Sequence, residues 1–324
     1  MDFLIIRYSS LGDVILTTPV AENIMLDDAS HKVDILTKPE YEQVFFNNPN
    51  IDDIKTGWPG RKRYDYIIDL HNSLRSNLIK HFIPSQEILI YDKAAYARRA
   101  YLYSGKYDNV LKKSVIDRYL EPLKKTGIAV KTRKPFINIS EREESKARSF
   151  TGKKKYVLLA PGAKWFTKQW VEEYYISLMK KIIQERNLNV ALAGDRTDID
   201  LCARLVKGVG LLKSHVVNLA GRTGLRELFA VIKNAEAAVT TDSAPLHIGW
   251  AVGTEVVAIY GPTVKEFGFQ PDDPKVHILQ KDMECRPCSL HGSKKCKFKD
   301  RACMKRIEPH EVMGTLNAVL DESS

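Results

Sequence analysis

The stretch Phe3-Leu4-Ile5-Ile6-Arg7-Tyr8-Ser9-Ser10-Leu11-Gly12-Asp13-Val14 decides the fold. Its apolar run is short and rich in β-branched residues, which suits a strand buried on both faces. The run stops at Arg7, and a polar turn leads into a helix from about Asp13. A buried strand that passes at once into a helix opens a parallel sheet covered on both sides. The unit recurs downstream. Val33–Thr37 reads as a strand before a helix near Glu40–Phe46. Tyr66–Leu70 precedes a helix over Asn72–Phe82, and Glu87–Tyr91 precedes a helical stretch to about Thr126.

A second series begins after Lys153-Lys154-Lys155. Tyr156–Ala160 is strand-like, Trp170–Arg186 has helical period, and Asn189–Ala193 runs into Gly194-Asp195. Val216–Leu219, Ala237–Thr241 and Val256–Tyr260 repeat the pattern. Glu141–Gly152, polar and of mixed charge, reads as the interdomain region. The expected domains are therefore 1–150 and 151–324, with a last helical segment, Glu308–Leu320, placed to pack back across the first. A length of 324 residues agrees, because one core rarely grows past roughly 250–300 residues. The expectation is an α/β chain of two doubly wound, Rossmann-like domains facing a central cleft. Such sheets bind ligands at the carboxyl ends of their strands.

Apolar runs are short and broken by charges, so no stretch is long enough to span a bilayer. The first residues lack the basic start and extended apolar run of a secretory signal, and a cytoplasmic location is expected. Lys and Arg number 50 against 40 Asp and Glu, an excess that suits an anionic partner. Nucleic acid is not expected, since no basic segment is interleaved with aromatic residues.

Three segments carry candidate chemistry, each at a strand-to-helix junction. The first strand ends with a single glycine, Gly12, and lacks the G-x-G-x-x-G dinucleotide fingerprint, which counts against an NAD enzyme. Asp13 there either complements a helix dipole or serves as a general base. The second junction, Ala160-Pro161-Gly162-Ala163-Lys164-Trp165-Phe166-Thr167-Lys168, offers lysines and helix N–H groups to a phosphate. Its lysines read equally well as chains lying over Trp165 and Trp170. The third, Thr241-Asp242-Ser243-Ala244-Pro245, opens a helix, and capping alone would account for Asp242 and Ser243. His247 reads as structural. Asp198-Ile199-Asp200 has the metal-binding D-x-D form, but on a helix those two carboxylates do not share a face.

These pieces resemble glycosyltransferase family 9, the ADP-heptose:lipopolysaccharide heptosyltransferases, across nearly the whole chain. The matching parts are Arg7–Asp13 with Thr17-Thr18-Pro19, Tyr64–Leu70, Pro161-Gly162-Ala163 with Lys168 and Trp170, Ala193-Gly194, Leu225–Ala235, and Thr241–His247. The resemblance implies a GT-B fold and inverting, metal-independent heptosyl transfer from ADP-heptose to an anionic, Kdo-containing inner-core acceptor. It implies that Asp13 is the general base, that Lys168 lies near the donor phosphates, and that Asp242 holds sugar hydroxyls. Ser243 and Ala244 would lie beside the diphosphate, where the family more often has Thr-Gly. Lys164 and Thr223 are further donor-side candidates, the latter in the part that meets the base. Arg61, Arg63, Arg75 and Arg98, with Arg99 and Lys106, are candidates for the acceptor's charge. Contact with the inner membrane would be peripheral.

Four of the five cysteines form the series Cys285-x2-Cys288-x7-Cys296-x6-Cys303. Thiols so spaced can close a tetrahedral structural site for Zn or Fe, and the alternative is a set of free surface thiols. His291 stands in reserve as a ligand, and Cys202 reads as core. No cofactor is expected at the reaction centre. A family-9 transferase with another nucleotide sugar or a protein acceptor stays open. So does a non-catalytic, metal-bearing sugar-nucleotide binder.

Overall fold

The computed structural model describes residues 1–152 and 154–322; Lys153 of the lysine run, Ser323 and Ser324 lie outside the described residues. The chain divides into two units. The first comprises Met1–Asn138 with Lys265–Gln270, and the second Ile139–Val264 with everything from Pro271 onward.

The first unit holds β1 (Asp2–Ile6), β2 (Lys32–Leu36), β3 (Asp53–Lys55), β4 (Tyr64–Asp69) and β5 (Ser85–Ile90). All pair in parallel, in the order β3-β2-β1-β4-β5. The helices are α1 (Leu11–Ile15), α2 (Thr18–Asp27), α3 (Leu74–Lys80), α4 (Ala95–Ser104) and α5 (Val115–Leu120). Leu4, Ile6, Tyr8, Leu36, Tyr64, Ile67 and Ile83 form one buried cluster on the sheet. The expected helix near Glu40–Phe46 is instead a 3-10 segment, Pro39–Phe45, in which only Val44 and Phe45 are buried, too short an apolar stripe to anchor an α-helix. Gly268 returns to this unit: its carbonyl accepts from the Val115 N–H at 2.8 Å, and the Phe267 carbonyl accepts from Arg118 at 3.0 Å.

The second unit holds α6 (Glu141–Thr151), β6 (Tyr156–Ala160), α7 (Glu172–Arg186), β7 (Asn189–Leu192), α8 (Ile199–Gly208) and β8 (Val216–Asn218). It continues with α9 (Leu225–Lys233), β9 (Ala237–Thr241), α10 (Ala244–Val252), β10 (Val256–Tyr260), β11 (Val276–Gln280), α11 (Ala302–Lys305) and α12 (Pro309–Glu322). The six strands form one parallel sheet ordered β11-β10-β9-β6-β7-β8.

One expectation about the division fails, for a physical reason. Glu141–Gly152 is not a linker. Ser140 caps the helix it forms by accepting from the Glu143 N–H, and its mixed charges are partners for α9. Arg226 binds Glu143 through two bonds of 2.6 and 2.8 Å, Lys233 reaches Glu144 at 2.6 Å, and Lys146 pairs with Glu227. The last helix lies in the second unit, within the expected 151–324. Val312, Met313, Leu316, Val319 and Leu320 make one helical stripe within that unit's core, beside Tyr175, Met179 and Ile182 of α7. Each such side chain contributes about 1.5–3 kcal/mol on burial, which settles where the helix lies.

Candidate active site

Parallel pairing brings the ends of β1, β4 and β5 to one edge of the first sheet, and the candidate chemistry collects there. Asp13, in the short helix after β1, accepts from the Ser10 hydroxyl at 2.8 Å and the Ser10 N–H at 3.2 Å. Its other oxygen meets the Arg7 guanidinium at 2.8 Å and the Tyr119 hydroxyl at 3.1 Å. Burial works against the charge of Asp13, but Arg7, Ser10 and Tyr119 outweigh it and hold the carboxyl below its ordinary pKa. Asp13 is thus a half-buried carboxylate held towards its ionised form. The Arg7 guanidinium also donates to the Leu70 carbonyl and lies 5.4 Å from the centre of the Tyr119 ring.

Cations gather around this carboxylate. Burial, then Arg7 and Arg98, push the Lys93 ammonium below its usual pKa, and among the described residues neither Lys93 nor Arg98 has an ion-pair partner. Arg98 lies 5.9 Å from the centre of the Phe269 ring, and Arg75 stacks 4.7 Å over Tyr8. His71 is neutral: burial, with Arg7 and Lys93 nearby, lowers its pKa to about 4. Asp69, at the end of β4, accepts from the N–H groups of His71 and Asn72 and pairs with Lys80 at 2.9 Å, both side chains being fully buried.

The sequence candidates for acceptor charge separate on this geometry. Arg75 and Arg98 follow the carboxyl ends of β4 and β5 and join the Asp13 edge. Arg61 and Arg63 do not: they are exposed in the turn that enters β4 at its amino end. A strand of six residues puts them about 20 Å away, at roughly 3.3 Å per residue. Arg99 and Lys106 are exposed.

In the second unit, Lys168 sits in a 3-10 turn, Phe166–Lys168, after β6. Its ammonium meets the Asp242 carboxylate at 2.5 Å and donates to the Asp242 carbonyl at 3.1 Å. The same Asp242 oxygen accepts from the Thr263 hydroxyl at 2.6 Å. Ser243 occupies the cap position of α10 but makes no capping bond; its hydroxyl turns back to the Thr241 carbonyl at 3.3 Å and lies 3.2 Å from the Thr240 hydroxyl. Capping therefore does not account for Asp242 or Ser243; Pro245 has no N–H and the Leu246 N–H donates to the Ser243 carbonyl at 3.2 Å, which leaves the Ala244 N–H, at the start of α10, for another acceptor.

Lys164 is exposed 5.6 Å from the centre of the Trp165 ring. Thr223 is half-buried, one residue before the cap of α9. The D-x-D carboxylates part company as expected. Asp198 accepts from the Asp195 N–H at 3.0 Å and lies against Gly162, where a Cβ would come 2.2 Å from its Oδ2, whereas Asp200 is exposed. Cys202 is core, its thiol pushed by burial to about 12.

The four clustered cysteines line one cavity of about 500 Å³, with Thr167, Arg301 and Arg306. Burial and the neighbouring thiols raise Cys303 to about 11 and also raise Cys288. Among the described residues no three His, Cys, Asp or Glu side chains stand at metal-holding spacing, and His291 is not in the cavity lining. The chemistry of the donor set, four thiols lining one cavity, is that of a site for a thiophilic ion once they are drawn together.

Sequence reasoning did not single out Tyr119, Lys93 or Thr263. Tyr119 is 106 residues from Asp13, and no local pattern connects them. Lys93 carried a detectable signal, as a basic residue just past a strand end.

The sequence pattern of Glycosyltransferase family 9 (heptosyltransferase) matches residues 60–299. The lipooligosaccharide heptosyltransferase 2 of Haemophilus influenzae is 23% identical over 302 residues, covering 82% of this chain and 85% of its own. Among solved structures, a glycosyl transferase family 9 protein of Veillonella parvula superposes with a TM-score of 0.80 at 19% identity, over 99% of this chain and 97% of its own. The ADP-heptose LPS heptosyltransferase II of E. coli superposes at 0.79 and 22%, over 100% and 99%. Both neighbours share the architecture of two parallel-sheet units, here of GT-B type. With the match spanning most of its length, the chain belongs to glycosyltransferase family 9, the heptosyltransferases.

Proposed function

We propose that the chain transfers heptose from ADP-heptose to an anionic, lipid-linked acceptor of the lipopolysaccharide inner core, with inversion and without a metal at the reaction centre. Asp13 carries this reading: a half-buried carboxylate kept ionised beside cations that have no carboxylate of their own. The acceptor hydroxyl gives its proton to Asp13 as its oxygen bonds the anomeric carbon. The bond from that carbon to the phosphate oxygen breaks on the opposite face, and its electron pair leaves with ADP. Lys168 and the Ala244 N–H at the start of α10 take up the growing charge. In this reading Lys168 and the Ala244 N–H take the place of a divalent ion, and Asp198 and Asp200, which are not a pair, hold none. Arg75, Lys93 and Arg98 would receive the acceptor's carboxylate or phosphate. Asp242 would bind donor hydroxyls once its pairing with Lys168 loosens, and Thr223 would lie towards the base.

The names of the relatives agree with this donor and pathway. Among the described residues no helix is long and apolar enough to cross a membrane. The lipid-linked acceptor of this reading would be met by peripheral contact at the cytoplasmic face of the inner membrane. The test is intact-mass analysis of a short Kdo-lipid acceptor incubated with ADP-heptose and EDTA. A gain of one heptose with β-to-α inversion by NMR is expected. No gain and no ADP release would overturn the proposal.

A second reading concerns the shared cavity of the four cysteines. Cys285, Cys288, Cys296 and Cys303 would hold a structural Zn or Fe ion, which supplies cross-linking and no open coordination position. About one equivalent of metal per chain in freshly purified protein, lost in Cys→Ser variants, is expected; a metal-free chain of unchanged stability would refute it.

A further inference from the structure

The thiol segment grips the donor-side cluster at two places. On the lysine side, the Ser293 N–H donates to Thr167 Oγ1 at 2.8 Å, while the Thr167 N–H and hydroxyl donate to the Ser293 carbonyl at 3.2 and 3.1 Å. Arg301 donates to the carbonyls of Phe166 and Gln169 at 3.2 and 3.0 Å, bracketing the turn that carries Lys168. Its guanidinium lies 4.1 Å over the Phe166 ring. On the other side, the Cys288 N–H donates to the Pro262 carbonyl at 3.2 Å, and Arg286 donates to the Thr263 carbonyl at 2.7 Å. Thr263 in turn holds Asp242. Gly292, at φ +99°, passes so near Trp165 that a Cβ would come within 2.7 Å of it.

The gripping residues alternate with the thiols along the chain: Cys285, Arg286, Cys288, Ser293, Cys296, Arg301, Cys303. No helix or strand occurs between Gln280 and Ala302, so these contacts lack a ladder of backbone bonds to hold them in place. A connection of that length inside a compact unit is uncommon without a function. Its order must come from side chains, and tying its thiols together removes the freedom that a ligand would otherwise have to suppress.

We propose that this segment is a brace for the donor site: when a thiophilic divalent ion gathers the four cysteines, Ser293, Arg301 and Arg286 hold Lys168, Asp242 and Thr263 in place and affinity for a nucleoside diphosphate rises. Thr167, Ser293, Arg286 and Arg301 are positioning residues in this scheme. The proposal rests on the reading that Lys168 and Asp242 meet the donor. Each thiol that joins the ion releases its proton to solvent.

The test uses full-length, reduced, metal-stripped protein and Co²⁺ as the probe, with unbound ion removed before calorimetric titration with ADP. One Co²⁺ per chain with thiolate-to-cobalt absorption is expected, and ADP should bind about tenfold more tightly than to the stripped protein, roughly 1.4 kcal/mol. Thr167→Val should keep the cobalt spectrum and lose most of that gain, and Arg301→Lys should retain part of it where Arg301→Ala does not. Unchanged ADP affinity in cobalt-loaded wild type would overturn the brace, as would an undiminished gain in Thr167→Val or the absence of a thiolate–cobalt spectrum. If ADP binds no form while the spectrum is normal, the donor-site reading itself falls and takes the brace with it.

Discussion

Replacing Asp13 with asparagine separates its two tasks. The amide keeps one oxygen for Arg7 and Tyr119 but cannot accept from the Ser10 N–H, and it removes the charge that faces a buried guanidinium. Breaking a buried pair costs roughly 3–5 kcal/mol, and the surviving oxygen puts Asp13→Asn near the low end, about 3 kcal/mol. Loss of the base should slow turnover by about 10²–10⁴-fold. Donor affinity should stay within about twofold, since Lys168 and Asp242 belong to the other unit and sites without shared partners behave independently. The assay combines single-turnover ADP release, urea unfolding and calorimetric titration with the donor. Because Asp13 is held below its ordinary pKa, the acid limb of wild-type kcat/KM should lie below the usual carboxylate range. A folded Asp13→Asn protein that keeps more than about a tenth of wild-type turnover would refute the assignment.

Lys168→Met should lower kcat by about 10²–10³-fold and weaken ADP binding, read by steady-state kinetics and calorimetry. Unchanged ADP affinity would remove Lys168 from the donor site. Lys80→Met leaves the fully buried Asp69 carboxylate without its cation and should cost roughly 3–5 kcal/mol in urea unfolding; a loss below about 1 kcal/mol would show that Asp69 finds another partner or a proton. Arg226→Ala should change the pH dependence of stability. The Arg226 bond, ahead of the opposing burial, lowers Glu143 to about 2 from an ordinary 4.5. With the folded pKa depressed, the contribution is complete above about 4.5 and is lost as pH falls towards about 2. Unfolding midpoints of wild type and variant should therefore differ at neutral pH and converge in acid, and a constant gap would refute the coupling.

Both sheets were legible because a doubly covered parallel strand announces itself as an unbroken apolar run, and Tyr156–Ala160, Ala237–Thr241 and Val256–Tyr260 occur as expected. The strands that escaped, β3 and β11, lie at sheet edges, where one neighbour suffices and Asp53-Ile54-Lys55 carries little apolar signal. Glu141–Gly152 was misread because its charges look solvated until α9 supplies theirs. At the site, strand-to-helix junctions located Asp13, Lys168 and Asp242, since any such sheet presents those positions at its carboxyl edge. What junctions could not disclose was orientation. Arg61 and Arg63 stand in a basic run as persuasive as any other, but they enter a strand instead of leaving one. The Ser243 hydroxyl, an obvious cap by residue type, bonds backwards.

The return of Lys265–Gln270 to the first unit bears on modularity. A fragment ending at Asn138 would lack the carbonyls of Phe267 and Gly268, to which Arg118 and the Val115 N–H are bonded. Exchanging the first unit for that of a relative therefore calls for two grafts from the same parent. Chimeras joined at a single seam would carry an insert foreign to its own host, and natural recombination within the family faces the same bookkeeping.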